Sequence, residues 1–198
     1  MYLLFGLFLF SYSIEEYQGE KSDILISYYS MIKLQHTETD LLLSSIELNY
    51  PAGSFQQMTR AIRKPVLAET YWTVFPMQNE TDILQGKPIE CGATIRLNHA
   101  TTKKWLHSHR VKLPDNKGFE VSCFDEDDEG NLWYLECNDM WTAGSAFRLQ
   151  HVVTEHYLAV DATSEYPPEQ AGEHPVYASK VDEGNEWSVA GAITVDED

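Results

Sequence analysis

Basic residues are scarce in this chain: 14 lysines and arginines stand against 31 aspartates and glutamates among 198 residues, giving a formal net charge of −17. Proteins that bind nucleic acid or anionic membranes need a positive surface, which this composition does not supply. The sequence therefore predicts neither partner. Low-complexity tracts are also missing, and 43% hydrophobic residues is typical globular content. One compact domain is expected.

Cysteines are also few, with Cys91, Cys123 and Cys137 as the three in the chain. At most one pair can form a disulfide, and one thiol is left over. The three share no CxxC motif, and their spacing resembles no zinc site. The chain also lacks a nucleophile elbow, an HExxH motif, a P-loop and a dinucleotide fingerprint. We therefore predict no metal, no cofactor and no enzymatic activity.

Long hydrophobic runs are limited to one, Tyr2 to Phe10, which is followed by the small residues Ser11 and Ser13. This pattern predicts a signal peptide over residues 1–13 and a short amino-terminal segment over residues 14–23, with a buried first strand as the alternative. The run is too short to span a bilayer as a helix. We expect entry into the secretory pathway and no membrane insertion after signal cleavage.

A repeated motif of an apolar residue, a basic residue, Leu, an amide and His is the dominant internal signal. An apolar pair follows six and seven residues after each His, and a Trp-x-aliphatic strand ends each unit. The three copies of the first motif are Ile32 to His36, Ile95 to His99 and Phe147 to His151, and the closing residues are Trp72, Trp133 and Trp187.

The spacing of these motifs predicts a single fold built from three similar units. From Leu34 to Trp72, from Leu97 to Trp133 and from Leu149 to Trp187 the chain advances 38, 36 and 38 residues. Hydrophobic residues alternate with period two inside the units, which indicates strands. Three units are too few for a propeller, so we predict an all-β barrel with threefold pseudo-symmetry. The predicted units cover residues 24–78, 88–138 and 140–193.

A shared turn closes the second and third units, Glu129-Gly130-Asn131 and Glu183-Gly184-Asn185. Gly-Asn pairs favour tight hairpins with a positive φ angle. The repeated histidines and tryptophans are predicted to be structural. An active site is a single asymmetric arrangement, so a side chain that recurs in every unit is better explained by a structural role.

The second unit resembles the MIR domain of the stromal cell-derived factor two family, which is related to MIR domains of protein O-mannosyltransferases. The resemblance rests on motifs that include Cys91-Gly92, Ile95-Arg96-Leu97, Leu106-His107-Ser108-His109, Glu120-Val121-Ser122 and Cys137-Asn138, and it extends over all three units. It implies a β-trefoil with three MIR repeats. The first unit carries Leu43-Ser44-Ser45-Ile46 in place of a second Leu-His-Ser-His, so a symmetric first site is predicted to be lost.

The resemblance also implies a non-catalytic protein of the endoplasmic reticulum lumen, acting in quality control and protein O-mannosylation. Its expected partners are lumenal Hsp70 and J-protein chaperones with client polypeptides or glycans, and it is expected as a monomer or as a subunit of a hetero-complex. The chain ends Val195-Asp196-Glu197-Asp198, which is not a KDEL-type retention signal. A secreted, lectin-like carbohydrate-binding protein is therefore the alternative.

Candidate ligand-binding residues lie in the unrepeated part of the second unit. His107 and His109 are two apart on a strand, so they are predicted to share one face. With them we place Ser108, Glu120 and Ser122, and from a related motif in the first unit Gln56 and Gln57.

Two covalent features complete the predictions. Cys91 opens the second unit and Cys137 closes it, so these two are predicted to form a disulfide that leaves Cys123 free and buried. Asn79-Glu80-Thr81 is a candidate glycosylation site between the first two units.

Overall fold

The structure, a computed structural model, describes residues 24–64, 66–78, 84–113, 117–166, 172–181 and 183–196. The predicted signal peptide, the segment 14–23 and Asn79 lie outside these residues. Within them the chain forms strands β1 (Met31–His36), β2 (Leu42–Asn49), β3 (Gln57–Ile62), β4 (Trp72–Phe75), β5 (Thr94–His99), β6 (Trp105–Lys112), β7 (Gly118–Phe124), β8 (Trp133–Glu136), β9 (Arg148–His151), β10 (His156–Val160), β11 (Glu173–Ser179) and β12 (Trp187–Ile193), with a short helix α1 (Leu67–Thr70). Among the described residues, no helix has the length and hydrophobicity that a membrane span requires.

The first and last strands of each unit form a closed barrel. β1 pairs with β4, β4 with β5, β5 with β8 and β8 with β9, all antiparallel. β12 pairs with β1, and a bridge between Phe147 and Trp187 closes the ring. The middle strands of each unit form the hairpins β2–β3, β6–β7 and β10–β11. β3, β7 and β11 pair with one another around one axis. This is the predicted β-trefoil.

The repeated histidines hold the units together. The Nδ1 atoms of His36, His99 and His151 lie 2.9, 2.9 and 2.8 Å from the hydroxyl of the threonine three residues later. Each Nε2 lies within 3.1 Å of a backbone carbonyl of another segment, that of Gly184, Glu69 or Gly130 respectively. All three rings are buried. They are structural, because both ring nitrogens are occupied in the same way in each unit.

The closing tryptophans form the centre of the core. Trp72, Trp133 and Trp187 are fully buried. Each indole Nε1 donates a hydrogen bond to a carbonyl of its own unit's hairpin, at Leu43, Leu106 and Leu158, over 3.2, 2.9 and 2.8 Å. A buried indole needs such an acceptor, and this contact fixes each hairpin on the barrel.

The prediction of a tight hairpin with a positive φ angle at Gly130-Asn131 was wrong. Residues Glu129–Asn131 form a 3-10 turn, and Asp128 caps it by accepting a hydrogen bond from the Gly130 amide over 2.8 Å. Gly130 does not have a positive φ, whereas Gly184 in the third unit does, at 69°. Gly130 is required for another reason: a Cβ there would lie 2.2 Å from Cε1 of His107.

The predicted disulfide is present between Cys91 and Cys137, with the two Cα atoms 5.2 Å apart. It joins the two ends of the second unit. Cys123 is free and buried, as predicted, and burial raises the pKa of its thiol to about 12.

Candidate functional site

The candidate residues of the second unit lie on the hairpin β6–β7, where His107 is opposite Ser122 and Ser108 is opposite Val121. The rings of His107 and His109 share one face, with centroids 5.2 Å apart. Ser108 points to the other face and is buried, its hydroxyl donating to the Glu120 carbonyl over 3.0 Å. Both faces of this hairpin are therefore packed near its middle.

His107 is directed toward the 3-10 turn. Its Nδ1 lies 2.9 Å from Oδ1 of Asn131 and 3.5 Å from Oδ1 of Asp128. The amide nitrogen of Asn131 donates to the Glu126 carbonyl, so its oxygen is the acceptor for the imidazole. Burial lowers the pKa of His107, and the bond to Asn131 only partly opposes this effect. Burial thus favours the neutral form of the His107 ring, which contacts the turn.

His109 faces a buried carboxylate. Its Nε2 lies 3.4 Å from Oε1 of Glu120, a residue only 5% exposed. Ser54, from the loop between β2 and β3, donates its hydroxyl to the same oxygen. Gly53 has a φ of 80°, and a Cβ there would lie 2.3 Å from Oε2 of Glu120. The first unit's loop therefore contacts this carboxylate closely on one side, and the positive φ angle of Gly53 favours glycine at that position.

The two glutamines point in different directions. Gln56 accepts a hydrogen bond from the Ser122 hydroxyl over 2.5 Å, which ties the first unit to the second beside Glu120. Gln57 is buried and donates to the hydroxyls of Ser45 and Thr102 over 2.8 and 2.9 Å. The structure thus groups His109, Glu120, Ser122 and Gln56 near the same loop, while His107 and Gln57 make contacts elsewhere.

A pocket of about 990 Å³ opens where the three hairpins end, and Glu120 lines it. Its walls come from all three units, with residues of the β2–β3 hairpin, of β6–β7 and of the segment between β10 and β11. The residues that the sequence interpretation missed include Ile46, Leu48, Tyr50, Met58, Arg60, Lys112, Asp161, Tyr166, Glu173 and Tyr177. Their types do not recur at matching positions in the units, so no motif marked them.

Threefold symmetry places different residues at equivalent positions near this pocket. The residues that follow the paired Ser45, Ser108 and Val160 are Ile46, His109 and Asp161, and those that precede their partners Thr59, Val121 and Val176 are Met58, Glu120 and Pro175. The two residues from the first unit are apolar where the second unit carries imidazole and carboxylate. The site is therefore asymmetric although its scaffold is symmetric.

Most charged groups of the pocket are paired within the protein. Arg60 lies 2.6 Å from Glu69 and 2.5 Å from Glu173. Lys117 lies 2.5 Å from Asp161. Burial alone would raise the pKa of Asp161, but hydrogen bonds from Lys117 and neighbouring hydroxyls outweigh it and hold the pKa well below its usual value.

Two tyrosines of the pocket are fixed by the backbone. Tyr50 donates to the Val121 carbonyl over 2.9 Å, and Tyr166 donates to the Thr59 carbonyl over 3.2 Å. Burial raises the pKa of both phenols, so both remain protonated donors. No group of three or more potential metal ligands occurs among the residues that the structure describes.

Three similar units around one axis and one polar hairpin beside an axial pocket define this chain as a β-trefoil protein. It is 32% identical over 198 residues to Stromal cell-derived factor 2-like protein 1 of Bos taurus, covering 97% of this chain and 88% of that protein. It is 40% identical over 144 residues to the Stromal cell-derived factor 2-like protein of Arabidopsis thaliana, covering 70% of this chain and 66% of that protein. The chain belongs to the stromal cell-derived factor two family.

Solved structures agree with this assignment. The SDF2-like protein from Arabidopsis thaliana superposes with a TM-score of 0.82 at 34% identity, over 87% of this chain and 98% of that one. A protein O-mannosyltransferase chain from the S. cerevisiae Pmt1-Pmt2 complex superposes with a TM-score of 0.77 at 25% identity, over 88% of this chain and 26% of that one. The trefoil thus corresponds to about a quarter of that larger chain. No family model matches the sequence.

Proposed function

We propose that this protein is a non-catalytic binding subunit of the endoplasmic reticulum lumen. It recognises client polypeptides or their O-mannosyl groups and works with Hsp70 and J-protein chaperones. Membership of the stromal cell-derived factor two family supports this role, as does the structural similarity to part of a protein O-mannosyltransferase chain. We propose that His107, Ser108, His109, Glu120, Ser122, Gln56 and Gln57 build or support the binding face.

The observation that carries the proposal is the position of Glu120, which lies on the wall of a 990 Å³ pocket between the hairpins. That volume lies within the range of ligand sites. A catalytic serine would donate its hydroxyl to the imidazole. Here the Ser54 hydroxyl and the His109 imidazole both face the same carboxylate. This arrangement favours binding over nucleophilic catalysis.

A crosslinked pull-down from fractionated microsomes tests the role. We expect the protein in the lumenal fraction, together with an Hsp70 or J-protein chaperone and with glycosylated clients. Glu120→Gln should reduce client recovery and leave chaperone recovery unchanged, because the pocket is assigned to clients. The matched control is Glu186→Gln, which removes the same charge at an exposed position. Recovery of neither a chaperone nor a client would contradict the proposal.

A secreted, lectin-like protein is the second candidate, favoured by the three tyrosines Tyr50, Tyr166 and Tyr177 in the pocket wall. Sugar rings pack on aromatic side chains in many carbohydrate sites. Saturable binding on a glycan array, together with recovery of the protein from the medium, would support this candidate over the lumenal one.

A further inference from the structure

The pocket between the hairpin ends has predominantly apolar walls. They are formed by Ile46, Leu48, Met58, Leu113, Pro175 and Val176, which come from all three units. A concave apolar surface of this size favours an apolar ligand group, because binding then removes apolar surface from contact with water. The pocket therefore favours side chains such as leucine or phenylalanine.

Several polar groups of this pocket are already engaged within the protein. Arg60 is held between two carboxylates, and Asp161 accepts from Lys117. The phenols of Tyr50 and Tyr166 donate to backbone carbonyls. A hexose needs many hydrogen-bond partners to replace its hydration. These four residues therefore offer a sugar few hydrogen bonds.

Glu120 is the acidic group of this wall that lacks a lysine or arginine partner among the described residues. Its carboxylate contacts Ser54 and His109, and no lysine or arginine of the described chain forms an ion pair with it. A carboxylate in a partly dehydrated wall attracts a cation more strongly than one in water. The formal net charge of −17 also favours the approach of cationic segments.

The first unit's hairpin end exposes apolar side chains. Leu48, which lines the pocket, is 44% exposed, and Phe55, which lies in the loop of the same hairpin, is 63% exposed. Phe55 has a φ of 60°, a conformation that is costly for an aromatic residue. Lys112, at the same mouth, is exposed to solvent.

We propose that this pocket binds an extended polypeptide segment, taking one apolar side chain between its walls and a neighbouring lysine or arginine at Glu120. The inference rests on the proposed function and specifies its ligand as polypeptide. The pocket then recognises the hydrophobic and basic segments that an unfolded chain exposes.

Fluorescence anisotropy with three short labelled peptides tests this ligand class. The first alternates leucine with lysine, the second leucine with glutamate, and the third serine with lysine. We expect saturable binding of the first and at least about tenfold weaker binding of the other two, since each lacks one of the two recognised groups. Equal binding of the first two peptides would overturn the role of Glu120.

Protein variants locate the binding. Leu48→Lys should weaken the leucine–lysine peptide about tenfold or more, because it places a charge in the apolar wall. Val152→Lys is the matched control, since Val152 is 43% exposed and does not line the pocket. Equal effects of the two variants would overturn the assignment of peptide binding to this pocket. Client recovery from microsomes would remain intact in that case.

The role of charge is tested with two variants, so that misfolding of one variant does not leave it untested. Glu120→Gln should remove the preference for lysine over glutamate peptides. Lys112→Gln, at an exposed position, should strengthen binding of the leucine–lysine peptide about two- to fivefold by removing a like charge. The proposal would be overturned if Glu120→Gln left the peptide preference unchanged and Lys112→Gln left the affinity unchanged.

Competition with methyl α-mannoside separates the sugar alternative. Displacement of the bound leucine–lysine peptide by millimolar mannoside would assign the pocket to a glycan and overturn the proposal. Peptide binding that is insensitive to mannoside supports it. If the wild-type protein binds no peptide and recovers no client from microsomes, the proposed function fails together with this inference.

Discussion

The imidazole of His107 lies directly against Gly130, so closely that a Cβ atom at residue 130 would come within 2.2 Å of its Cε1. The contact joins the middle of the β6–β7 hairpin to a turn that follows more than twenty residues later. It explains why a histidine of the second unit's Leu-His-Ser-His motif is buried. It also makes the turn sensitive to a single methyl group.

Gly130→Ala is expected to reduce the free energy of unfolding by about 1–3 kcal/mol, because the added methyl displaces the buried His107 ring. Urea unfolding followed by tryptophan fluorescence measures this loss. Gly191→Ala is the control, since its Cβ would lie 3.6 Å from Cδ of Lys33, an ordinary contact. A combined His107→Ala and Gly130→Ala variant should lose less than the sum of the single changes. Strict additivity would show that the two residues do not clash.

Stability should fall as the pH drops from about 6.5 to 4. Burial lowers the pKa of His151 from its ordinary value of 6.5 to about 4. The unfolded chain therefore takes up a proton in this range before the folded one does. The contribution of this histidine to the free energy of unfolding is complete above pH 6.5. It is lost as the pH falls, at up to about 1.4 kcal/mol per pH unit.

Urea unfolding between pH 7.5 and 4.5 measures this slope. Burial also lowers the pKa values of His99 and His107, which adds to the effect. The pKa of Asp161 is lowered, so its contribution is lost only below the ordinary carboxyl range and does not act here. His151→Gln should give a flatter slope than the wild type. Identical slopes would exclude His151 as a source.

Removal of the Cys91–Cys137 disulfide, by changing both residues to alanine, should reduce the free energy of unfolding by about 4 kcal/mol on the chain-entropy model.

Thiol titration of the wild-type protein tests the placement of the third cysteine. Cys123 is buried and its pKa is raised to about 12, so it should not react with a thiol reagent until the protein unfolds. Rapid labelling of one thiol in the native protein would contradict this placement.

Arg60→Met should destabilise the protein by about 3–5 kcal/mol, since it leaves Glu69 and Glu173 without their shared cation in a partly buried site. Thermal unfolding measures the loss. Arg110→Met is the matched control at an exposed position, and we expect a change below about 1 kcal/mol there. Similar losses in the two variants would show that the buried ion pairs add nothing specific.

The fold was predictable because its determinants repeat. Each unit carries a histidine followed three residues later by a threonine, as His36 is by Thr39, and each histidine makes the same contacts. The alternation around Trp133 predicted a core strand, and the indole is fully buried. Repetition turns weak local signals into a strong one, since three units must satisfy the same packing.

The turn at Gly130 was mispredicted for a physical reason. Gly-Asn is a favourable hairpin pair when only local backbone energies matter. Here His107 occupies the space beside Gly130, and Asn131 is needed as a hydrogen-bond acceptor for that ring. A contact between distant residues therefore outweighed the local preference, which no reading of the turn alone could detect.

The sequence by itself determined the three units, their strands, the buried tryptophans and the pairing of Cys91 with Cys137, because each follows from a repeated pattern or from its place in a unit. Only the tertiary structure decided where function can lie. It turned His107 toward the 3-10 turn and placed His109 against Glu120 under the first unit's loop. The axial pocket has the same origin: its walls are hairpin residues whose identities differ between units, and they meet only because β3, β7 and β11 pair around one axis.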